Sequence, residues 1–302
     1  MQIIKNSKIN YTATIGFFDG VHLGHRFVIE RLKNIAEENN SSSLIITFDR
    51  HPRQVLQADF QPKLLTTLSE KLELLAESGV DACAMLDFTP KMAKLSAYDF
   101  MRQILKEQYN VNRLLIGYDH RFGNNRQETF ADYIKHGEML GIEIVLLDCF
   151  STEKAKNISS SEIRKALQNG EIERANNLLG CNYFFEGRVI AGFKIGRKIG
   201  FPTANLQVED AEKQLPDLGV YAVKIHFERK EYTGMLNIGN RPTLENGNNI
   251  SIEAHIINFD NIIYDRTLRV EFLHKIRNEK KFENVEELIE QLEKDKQIVL
   301  EL

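Results

Sequence analysis

The hydrophobic pattern changes near residue 181, and this change most restricts what the chain can fold into. Before it, short apolar runs such as Ser43–Phe48 alternate with amphipathic stretches. After it, runs such as Val220–Phe227 alternate apolar and polar residues, and Gly, Asn, Asp or Pro turns separate them. The first pattern is typical of a parallel sheet with helices on both faces, and the second of a small antiparallel barrel. We therefore predict an α/β domain over residues 1–181 and a barrel domain over residues 182–302.

The spacing of apolar residues also predicts the individual elements. In the first domain we expect strands at Tyr11–Phe18, Ser43–Phe48, Ala82–Leu86, Arg113–Gly117 and Glu143–Asp148. Helices are expected there at His25–Asn39, Glu70–Ser78, Ala97–Gln108, Phe130–Gly141 and Ser160–Leu179. In the second domain we expect strands at Phe184–Ala191, Val220–Phe227, Tyr232–Ile238, Ile250–Ile257 and Thr267–Phe272, and a terminal helix at Val285–Leu300.

Composition and charge exclude several classes of protein. The chain has 302 residues, of which 42% are hydrophobic and 27% charged, so a globular two-domain protein is expected. Its net charge of −4 disfavours a dedicated binder of nucleic acid or anionic membranes. The start of the chain lacks the apolar core of a signal peptide, and no apolar run approaches the roughly 18 residues of a membrane span. The three cysteines are far apart and form no CxxC pair, so they indicate a reducing cytoplasm.

A strand, a glycine-rich turn and a helix start coincide at Thr14–His25. The three glycines of this segment let the backbone approach a ligand closely, and the helix start offers free N–H groups that favour phosphate. His22 and His25 flank Gly24 and can direct two imidazoles at one anion. One alternative is a turn with two surface histidines. Another is a zinc site, for which no third or fourth ligand has a fitting spacing nearby.

A second candidate phosphate site begins at the serines of residues 159–161. Serine is a favoured N-cap, so a helix should start here. Arg164 follows within the first turn, where its charge opposes the helix dipole. An anionic ligand would offset that cost. The alternative is an ordinary capped helix with a solvated arginine.

The segment Gly196–Asn205 combines glycines, two basic residues and a Pro-Thr-Ala-Asn sequence. It is no P-loop, because the chain contains no GK[ST]. Thr203 and Asn205 nevertheless present two neutral oxygens on one side of an extended segment, and hard oxygen ligands suit Mg²⁺. The alternative is a β-turn with a basic tip.

With these motifs the chain resembles the bacterial bifunctional riboflavin kinase/FAD synthetase family, over roughly residues 11–285. Residues 22–25 are similar to the HxGH motif of the nucleotidyltransferase superfamily, and residues 202–205 to the riboflavin kinase signature. Further segments that match the family in order are 48–53, 116–126, 158–164, 219–223, 234–243 and 252–255. The resemblance implies a Rossmann-like nucleotidyltransferase domain followed by a riboflavin kinase barrel.

For the first domain, the resemblance implies FMN adenylyltransferase activity, in which the FMN phosphate attacks the α-phosphorus of ATP and pyrophosphate leaves. Because this nucleophile is already anionic, positioning and charge stabilisation suffice without a general base. The implied catalytic residues are His22, His25 and Arg164. The implied ATP-binding residues are Gly16, Phe17, Phe18, Gly24, His51, Ser159, Ser160 and Ser161. The implied flavin-binding residues are Asp119, Arg121, Phe122 and Arg126.

For the second domain, the resemblance implies riboflavin kinase activity, with Glu253 as the base for the riboflavin 5′-hydroxyl. A primary alcohol is a poor nucleophile at neutral pH, so a positioned carboxylate assists it. Thr203 and Asn205 would bind Mg-ATP, with Mg²⁺ as the metal. The other implied ATP-binding residues are Gly196, Lys198, Gly200 and Pro202. The implied flavin-binding residues are Tyr221, Asn237 and Arg277.

Four positions depart from the residues common in the family, namely Phe17, His120, Gln127-Glu128 and Asp265. The first three touch the adenylyltransferase pocket, so a monofunctional riboflavin kinase with a nucleotide-binding but inactive first domain stays open. A flavin carrier without turnover and an RNA-directed adenylating enzyme are further alternatives. The bifunctional hypothesis implies riboflavin, FMN, FAD, ATP, ADP and pyrophosphate as partners, with no nucleic acid, membrane or obligate protein partner.

Overall fold

The computed structural model describes residues 1–56, 62–117, 121–124, 127–147, 158–192, 195–240 and 250–302. The chain forms two compact units, Met1–Ser160 and Ser161–Leu302. The sequence pattern changes later, near residue 181, and the segment between these two positions is grouped with the second unit. The boundary at residue 181 therefore stays a prediction.

The first unit is built on a six-stranded sheet in which every strand pair is parallel. Its strands are β1 (Gln2–Ile4), β2 (Tyr11–Ile15), β3 (Ser42–Phe48), β4 (Ala82–Leu86), β5 (Val111–Gly117) and β6 (Glu143–Leu147). Its helices are α1 (Leu23–Glu38), α2 (Pro52–Leu56), α3 (Leu68–Glu77), α4 (Pro90–Ala93), α5 (Ala97–Phe100) and α6 (Phe130–Leu140). Helix α5 continues without a break as a π-helical segment, Met101–Gln108.

The strand order of this sheet is β1-β4-β3-β2-β5-β6. The chain first adds strands on one side of β2 and then crosses to add β5 and β6 on its other side. All five residues of β2 are buried, as expected for a central strand covered on both faces. In such sheets the point where the strand order reverses leaves a crevice at the carboxyl ends of the strands. The turn that follows β2 therefore lies where this topology favours ligand binding.

The second unit consists of a closed antiparallel barrel, two helices that precede it and two further helices. The helices that precede the barrel are α7 (Ser160–Gln168) and α8 (Ile172–Leu179). The strands are β7 (Phe184–Ile190), β8 (Ala204–Gln207), β9 (Gly219–Phe227), β10 (Lys230–Asn240), β11 (Ile250–Ile256) and β12 (Thr267–Arg277), in the closed order β10-β11-β8-β7-β12-β9. A short helix, α9 (Ile195–Lys198), precedes β8, and α10 (Val285–Glu301) ends the chain.

The terminal helix covers part of the outer wall of the barrel. Its Val299 is 2% exposed and belongs to an apolar cluster with Ala222 of β9 and Met235 of β10. Asn284 caps the start of this helix by accepting a hydrogen bond from the Glu287 backbone at 2.8 Å. Among the helices that the structure describes, none combines the length and apolar character needed to cross a membrane.

The α/β class, the barrel and the terminal helix agree with the sequence prediction, and several individual elements differ. The predicted helix Ser160–Leu179 is two helices, because Gly170 adopts φ 73° after α7 and the chain turns there. The strand predicted at Tyr11–Phe18 ends at Ile15, and Phe18 adopts a left-handed φ of 57° in the turn that follows. Strands β1 and β8 and the short helices α2, α4 and α9 were not predicted, because elements of three to five residues are too short for a periodic pattern to stand out.

Asp265, one of the departures named above, has a backbone conformation that glycine adopts more readily than other residues. Its φ is 61°, in the left-handed region that glycine adopts at no steric cost. The Asp265 backbone N–H donates to the Val189 carbonyl at 2.9 Å, which keeps the turn before β12 tight. Aspartate is among the residues that tolerate this conformation best, so this departure leaves the turn intact.

Candidate active sites

The turn after β2 is held by buried polar contacts. Phe18 and Val21 have positive φ values of 57° and 40°, and Gly20 between them has φ 78°. The Asp19 carboxylate, only 2% exposed, accepts backbone hydrogen bonds from Leu65 at 2.9 Å and Thr66 at 3.1 Å. A non-glycine residue in the left-handed region is costly, so the buried carboxylate offsets strain at this turn. Such strain is commonly found where a backbone is shaped around a ligand.

His22 and His25 come together at the start of α1, as the sequence predicts. His22 is the N-cap of the helix, and its Nδ1 accepts a hydrogen bond from the His25 backbone N–H at 3.4 Å. This places the proton of neutral His22 on Nε2. The two rings stack with centroids 3.6 Å apart and an angle of 15°. Two ring donors are thus presented beside the free N–H groups of a helix start.

The pKa of His25 is held well below its usual range. Burial is the largest cause, followed by the charges of His22 and Lys71. His25 is therefore neutral at pH 7 in the ligand-free protein. A neutral imidazole donates one hydrogen bond, and its pKa would rise beside a polyphosphate.

His51 lies in the loop after β3 and joins the same region through Phe17. The Phe17 and His51 rings meet edge to face, with centroids 4.7 Å apart. The Phe17 carbonyl accepts a hydrogen bond from Thr47 Oγ1 at 3.1 Å, which ties the loop after β2 to the end of β3. Gly16 precedes Phe17 in the chain, and a Cβ on Gly16 would meet the Phe18 ring at 2.9 Å. The predicted residues Gly16, Phe17, Phe18, Gly24 and His51 are thus brought together with the two stacked histidines.

The serine segment also reaches this turn. Ser160 Oγ donates to the Asp19 carbonyl at 3.0 Å, and the Ile158 carbonyl lies 3.8 Å from the position of a Cβ on Gly24. Ser159 is exposed in the same segment. Ser161 and Arg164 lie on α7 and fall in the second unit. Their proposed part in holding the triphosphate therefore stays a prediction.

The flavin residues proposed for the first unit are only partly within the described residues. Phe122 stacks on Tyr133 with centroids 4.5 Å apart, and Tyr133 Oη donates to the Phe122 carbonyl at 3.0 Å. Arg121 is half-buried beside it. Asp119 and Arg126, and with them the departure at His120, lie outside the described residues. At the departure Gln127-Glu128, the Glu128 carboxylate accepts a hydrogen bond from the Ala97 backbone at 3.4 Å.

The second candidate site is a row of side chains across neighbouring strands of the barrel. Asn205 of β8 pairs with Glu253 of β11, and Glu253 pairs with Asn237 of β10. Directly paired residues point to the same face of a sheet, so these three side chains share one face. Residues on either side of them, such as Leu236 and Ala254, are fully buried in the barrel core. The row therefore lies on the outer face of the barrel wall.

The Pro-Thr-Ala-Asn segment is folded against this row by a tight turn. The Phe201 backbone N–H donates to the Gly196 carbonyl at 2.9 Å, and a Cβ on Gly196 would overlap the Phe201 carbonyl. Glycine is therefore required for this close approach. Gly200 adopts φ 84°, while Lys198 and Pro202 are exposed at the rim of the turn.

Thr203 and His255 connect this turn to β11. Thr203 Oγ1 donates to Glu253 Oε2 at 3.4 Å. His255 Nδ1 lies 2.8 Å from the Pro202 carbonyl oxygen, so a protonated Nδ1 donates to it. His255 was not among the predicted site residues. The signal for it is its spacing of two from Glu253, which puts both side chains on one face of the strand.

The two other flavin candidates of the barrel have defined partners. Tyr221 is fully buried, and its hydroxyl donates to the Asp217 carbonyl. Burial raises the pKa of this hydroxyl, with the Asp217 charge as the second cause. Arg277 pairs with Val220 at the end of the same row, and its guanidinium forms a salt bridge with Asp295 of α10 at 2.8 Å. A contact of either residue with flavin stays a prediction.

Removing the Asp295 carboxylate should destabilise the barrel unit. Asp295 is fully buried and accepts hydrogen bonds from Arg277 Nε at 2.9 Å and Gln291 Nε2 at 2.8 Å. Asp295→Ala leaves a largely desolvated guanidinium without its counterion, and we expect a loss of about 3 kcal/mol in unfolding free energy. Urea unfolding followed by circular dichroism measures it. Glu293→Ala, at an exposed position of the same helix, should stay within about 0.5 kcal/mol of the parent chain.

The donors around Glu253 fit a hard divalent cation. The Thr203 hydroxyl and the Asn205 amide are neutral oxygen ligands of the kind that Mg²⁺ takes together with ATP phosphates and water. Asn205 is 7% exposed, and its amide packs directly on Gly192, where a Cβ would overlap it. Within the described ranges, no three His, Cys, Asp or Glu side chains gather as a metal-binding group. A magnesium ion here would thus rest on neutral oxygens and on phosphate.

Comparisons with known proteins give a family match for each of the two parts of the chain. Residues 4–162 match the family model "FAD synthetase", and residues 179–302 match "Riboflavin kinase". A bifunctional riboflavin kinase/FMN adenylyltransferase from Listeria monocytogenes is 39% identical over 96% of this chain and 91% of its own length. One of the same description from Bacillus subtilis is 39% identical over 98% of this chain and 93% of its own length.

A solved structure has the same fold over almost the whole length of this chain. A protein from Streptococcus pneumoniae, described as a macrolide-efflux protein, superposes with a TM-score of 0.90 at 30% identity and covers 99% of this chain and 98% of its own. Its description concerns that protein, and the shared fold is what bears on this one. Two family models follow each other along the chain in the order of the two units, and the relatives match over more than nine-tenths of their own length. The chain belongs to the bifunctional riboflavin kinase/FMN adenylyltransferase family.

Proposed function

We propose that this chain makes FAD from riboflavin in two steps, each in its own unit. The barrel unit transfers the γ-phosphoryl group of ATP to riboflavin and gives FMN and ADP. The α/β unit transfers the adenylyl group of a second ATP to FMN and gives FAD and pyrophosphate. The pairing of Glu253 with Asn205 beside Thr203 carries the first step, because it puts a carboxylate next to hard oxygen ligands.

In the kinase step, Glu253 accepts the proton of the riboflavin 5′-hydroxyl while the oxygen attacks the γ-phosphorus of ATP. The bond from the γ-phosphorus to the β-bridging oxygen breaks, and ADP leaves. Bound Mg²⁺ would supply charge neutralisation on the phosphates, held by Thr203 and Asn205. His255 keeps the Pro202 carbonyl in place and so positions the Thr203 turn against the carboxylate. Lys198 and Asn237 complete the binding of ATP and flavin in this proposal.

In the adenylyl-transfer step, an FMN phosphate oxygen attacks the α-phosphorus of ATP. The bond to the oxygen bridging to the β-phosphorus breaks, and pyrophosphate leaves. No proton has to be removed, so this unit needs donors and positive charge rather than a base. His22 and His25 donate to the phosphate oxygens from the start of α1. This division explains why a base candidate occurs in the barrel site and stacked histidines occur in the other.

A second candidate function is a riboflavin kinase with an inactive first unit. It is favoured by the departures near the flavin loop, where Gln127-Glu128 replaces a more usual glycine. The turn of residues 16–25 argues against this function, because its strained backbone and its stacked histidines are present.

We also propose that Mg²⁺ is the divalent cation and that the protein is located in the cytoplasm.

Product analysis decides between the two functions. Purified protein is supplied with riboflavin, ATP and MgCl₂, and flavins are separated by chromatography over time. The bifunctional enzyme accumulates FMN first and FAD later, with one pyrophosphate released per FAD. Accumulation of FMN alone, and no FAD when FMN is the starting substrate, would establish the kinase-only function. Binding of flavin without consumption of ATP would exclude both enzymes.

A further inference from the structure

Lys71 is a buried lysine in the first turn of α3. Lysine is among the residues least often fully buried, yet this one is 2% exposed. The start of its helix is fixed by a capping box, in which Glu70 accepts from the Thr67 backbone at 2.8 Å. The position of Lys71 is therefore set by the fold and not by a flexible segment.

The Lys71 ammonium group bridges the carboxyl ends of two neighbouring strands. Its Nζ donates to the carbonyl of Phe48, the last residue of β3, at 2.7 Å. It also lies 4.1 Å above the ring of Phe17, in the turn after β2, which is cation–π geometry. The same Phe17 ring meets His51 edge to face. One buried charge thus contacts both loops that carry the histidines.

Burial and the neighbouring acidic groups shift the pKa of Lys71 in opposite directions. Burial lowers the pKa of Lys71 to about 8, against the opposing effects of Asp19, Cys83 and Asp49. The group is therefore mostly charged at neutral pH. The charge of Lys71 also acts on the stacked histidines, because it is one of the causes that lower the pKa of His25.

We propose that Lys71 is a positioning residue for adenylyl transfer, whose buried ammonium group ties the loop after β2 to the loop after β3. The tie holds His22, His25 and His51 in the arrangement that receives the triphosphate. It also accounts for Phe17, which stands where asparagine is common in the family, because the aromatic ring is the face on which the ammonium rests. The proposal rests on the adenylyl transfer proposed above, and the role it gives to Lys71 requires no contact with substrate.

Steady-state kinetics of Lys71→Met and Lys71→Arg test the tie. Lys71→Met keeps the length of the side chain and removes the charge, and we expect FMN adenylylation to fall about 100-fold in kcat. Lys71→Arg keeps a charge that stacks on an aromatic ring, so it should stay within about tenfold of wild type. Riboflavin phosphorylation by the same chains should be unchanged. Adenylylation within about threefold of wild type in Lys71→Met, or equal losses in both variants, would overturn the proposal.

Lys213 offers a matched control in the other unit. It is 4% exposed and lies 4.7 Å over the ring of Tyr183, so it is also a buried lysine on an aromatic face. Lys213→Met should leave FMN adenylylation unchanged, whatever it does to the stability of the barrel. A comparable loss of adenylylation in this variant would show that burial of a lysine, and not its place between the two loops, is what matters, and would overturn the proposal.

A double-mutant cycle tests the contact with the ring. Phe17→Leu keeps the apolar volume and removes the aromatic face. If the tie runs through the ring, the loss in Lys71→Met/Phe17→Leu should be smaller than the product of the two single losses by about fivefold or more. If the activity loss of the double variant equals the product of the two single losses, Lys71 does not act through the Phe17 ring.

A histidine titration separates failure of this proposal from failure of the proposed function. NMR gives the imidazole pKa values, with His25 assigned by comparison with His25→Asn. The groups facing His25 and Lys71 are His22 of α1, Asp19 of the turn, Asp49 after β3 and Cys83 of β4. Lys71→Met should raise the pKa of His25, because one of the charges that lower it is removed. An unchanged pKa would overturn the tie. Absence of FAD formation by the wild-type chain would overturn the adenylyl transfer instead.

Discussion

Glu253→Gln should lower kcat for riboflavin phosphorylation by a factor of about 10² to 10⁴, the range for removal of a general base. Glutamine has the shape of glutamate and keeps an oxygen for Thr203, but it cannot accept the proton of the 5′-hydroxyl. The KM for riboflavin should change little, because binding does not depend on proton transfer. Adenylylation of supplied FMN should continue at the wild-type rate, since that step uses the other unit.

The control for this experiment is Glu271→Gln. Glu271 is also a strand residue of the barrel, but its carboxylate pairs with His226 at 3.0 Å and with Arg269 at 3.5 Å. It lies on β12, outside the row formed by Asn205, Glu253 and Asn237. Phosphorylation should therefore survive in this variant. A Glu253→Gln enzyme that phosphorylates riboflavin normally would show that another group takes the proton or that none is needed.

His22→Asn should lower FAD formation from FMN by about 10² to 10³, the usual loss when one donor to a developing charge is removed. Asparagine is chosen because it is a favoured N-cap, so the start of α1 should keep its cap. Alanine would remove the cap and the ring together and would mix a loss of stability with a loss of chemistry. Formation of FMN from riboflavin should be unaffected.

His136 of α6 provides the matched histidine. It lies in the same unit, and its ring meets Tyr98 at a centroid distance of 5.5 Å, away from the turn after β2. His136→Asn should leave both half-reactions unchanged. If His22→Asn also abolished FMN formation while the protein stayed folded, the two sites would not be independent, and the division of chemistry between the units would be wrong.

The strand, turn and helix of the first site could be predicted from sequence because their signals are local. A buried apolar run, three glycines and two histidines at a spacing of three stand within 12 consecutive residues, Thr14–His25. The structure adds the left-handed backbone at Phe18 and Val21, which could not be predicted from these two residue types. A buried Asp19 compensates for it through a segment more than 40 residues away in the chain.

The alignment of Asn205, Glu253 and Asn237 across neighbouring strands could not be predicted, because strand register is a long-range property. The sequence marks Pro202-Thr203-Ala204-Asn205 and Glu253 separately, and only the pairing of β8 with β11 places them side by side. Lys71 was missed for a related reason. A lysine in an amphipathic helix is expected to reach solvent, and nothing near it in the chain indicates that its charge ends beneath another loop.

Closure of the barrel has a consequence for folding. The site residues stand on β8, β10 and β11. Strand β8 pairs with β11 through Asn205 and Glu253, which are 48 positions apart in the chain, and contacts between such distant residues slow folding. A partly folded barrel therefore lacks the juxtaposition of Thr203, Asn205 and Glu253. Until β8 pairs with β11, the barrel unit lacks the place where ATP and riboflavin would meet in the proposed kinase step. This pairing is one of those that close the ring, and a closed ring leaves no free strand edge, so completing the kinase site also helps to remove the surface most prone to aggregation.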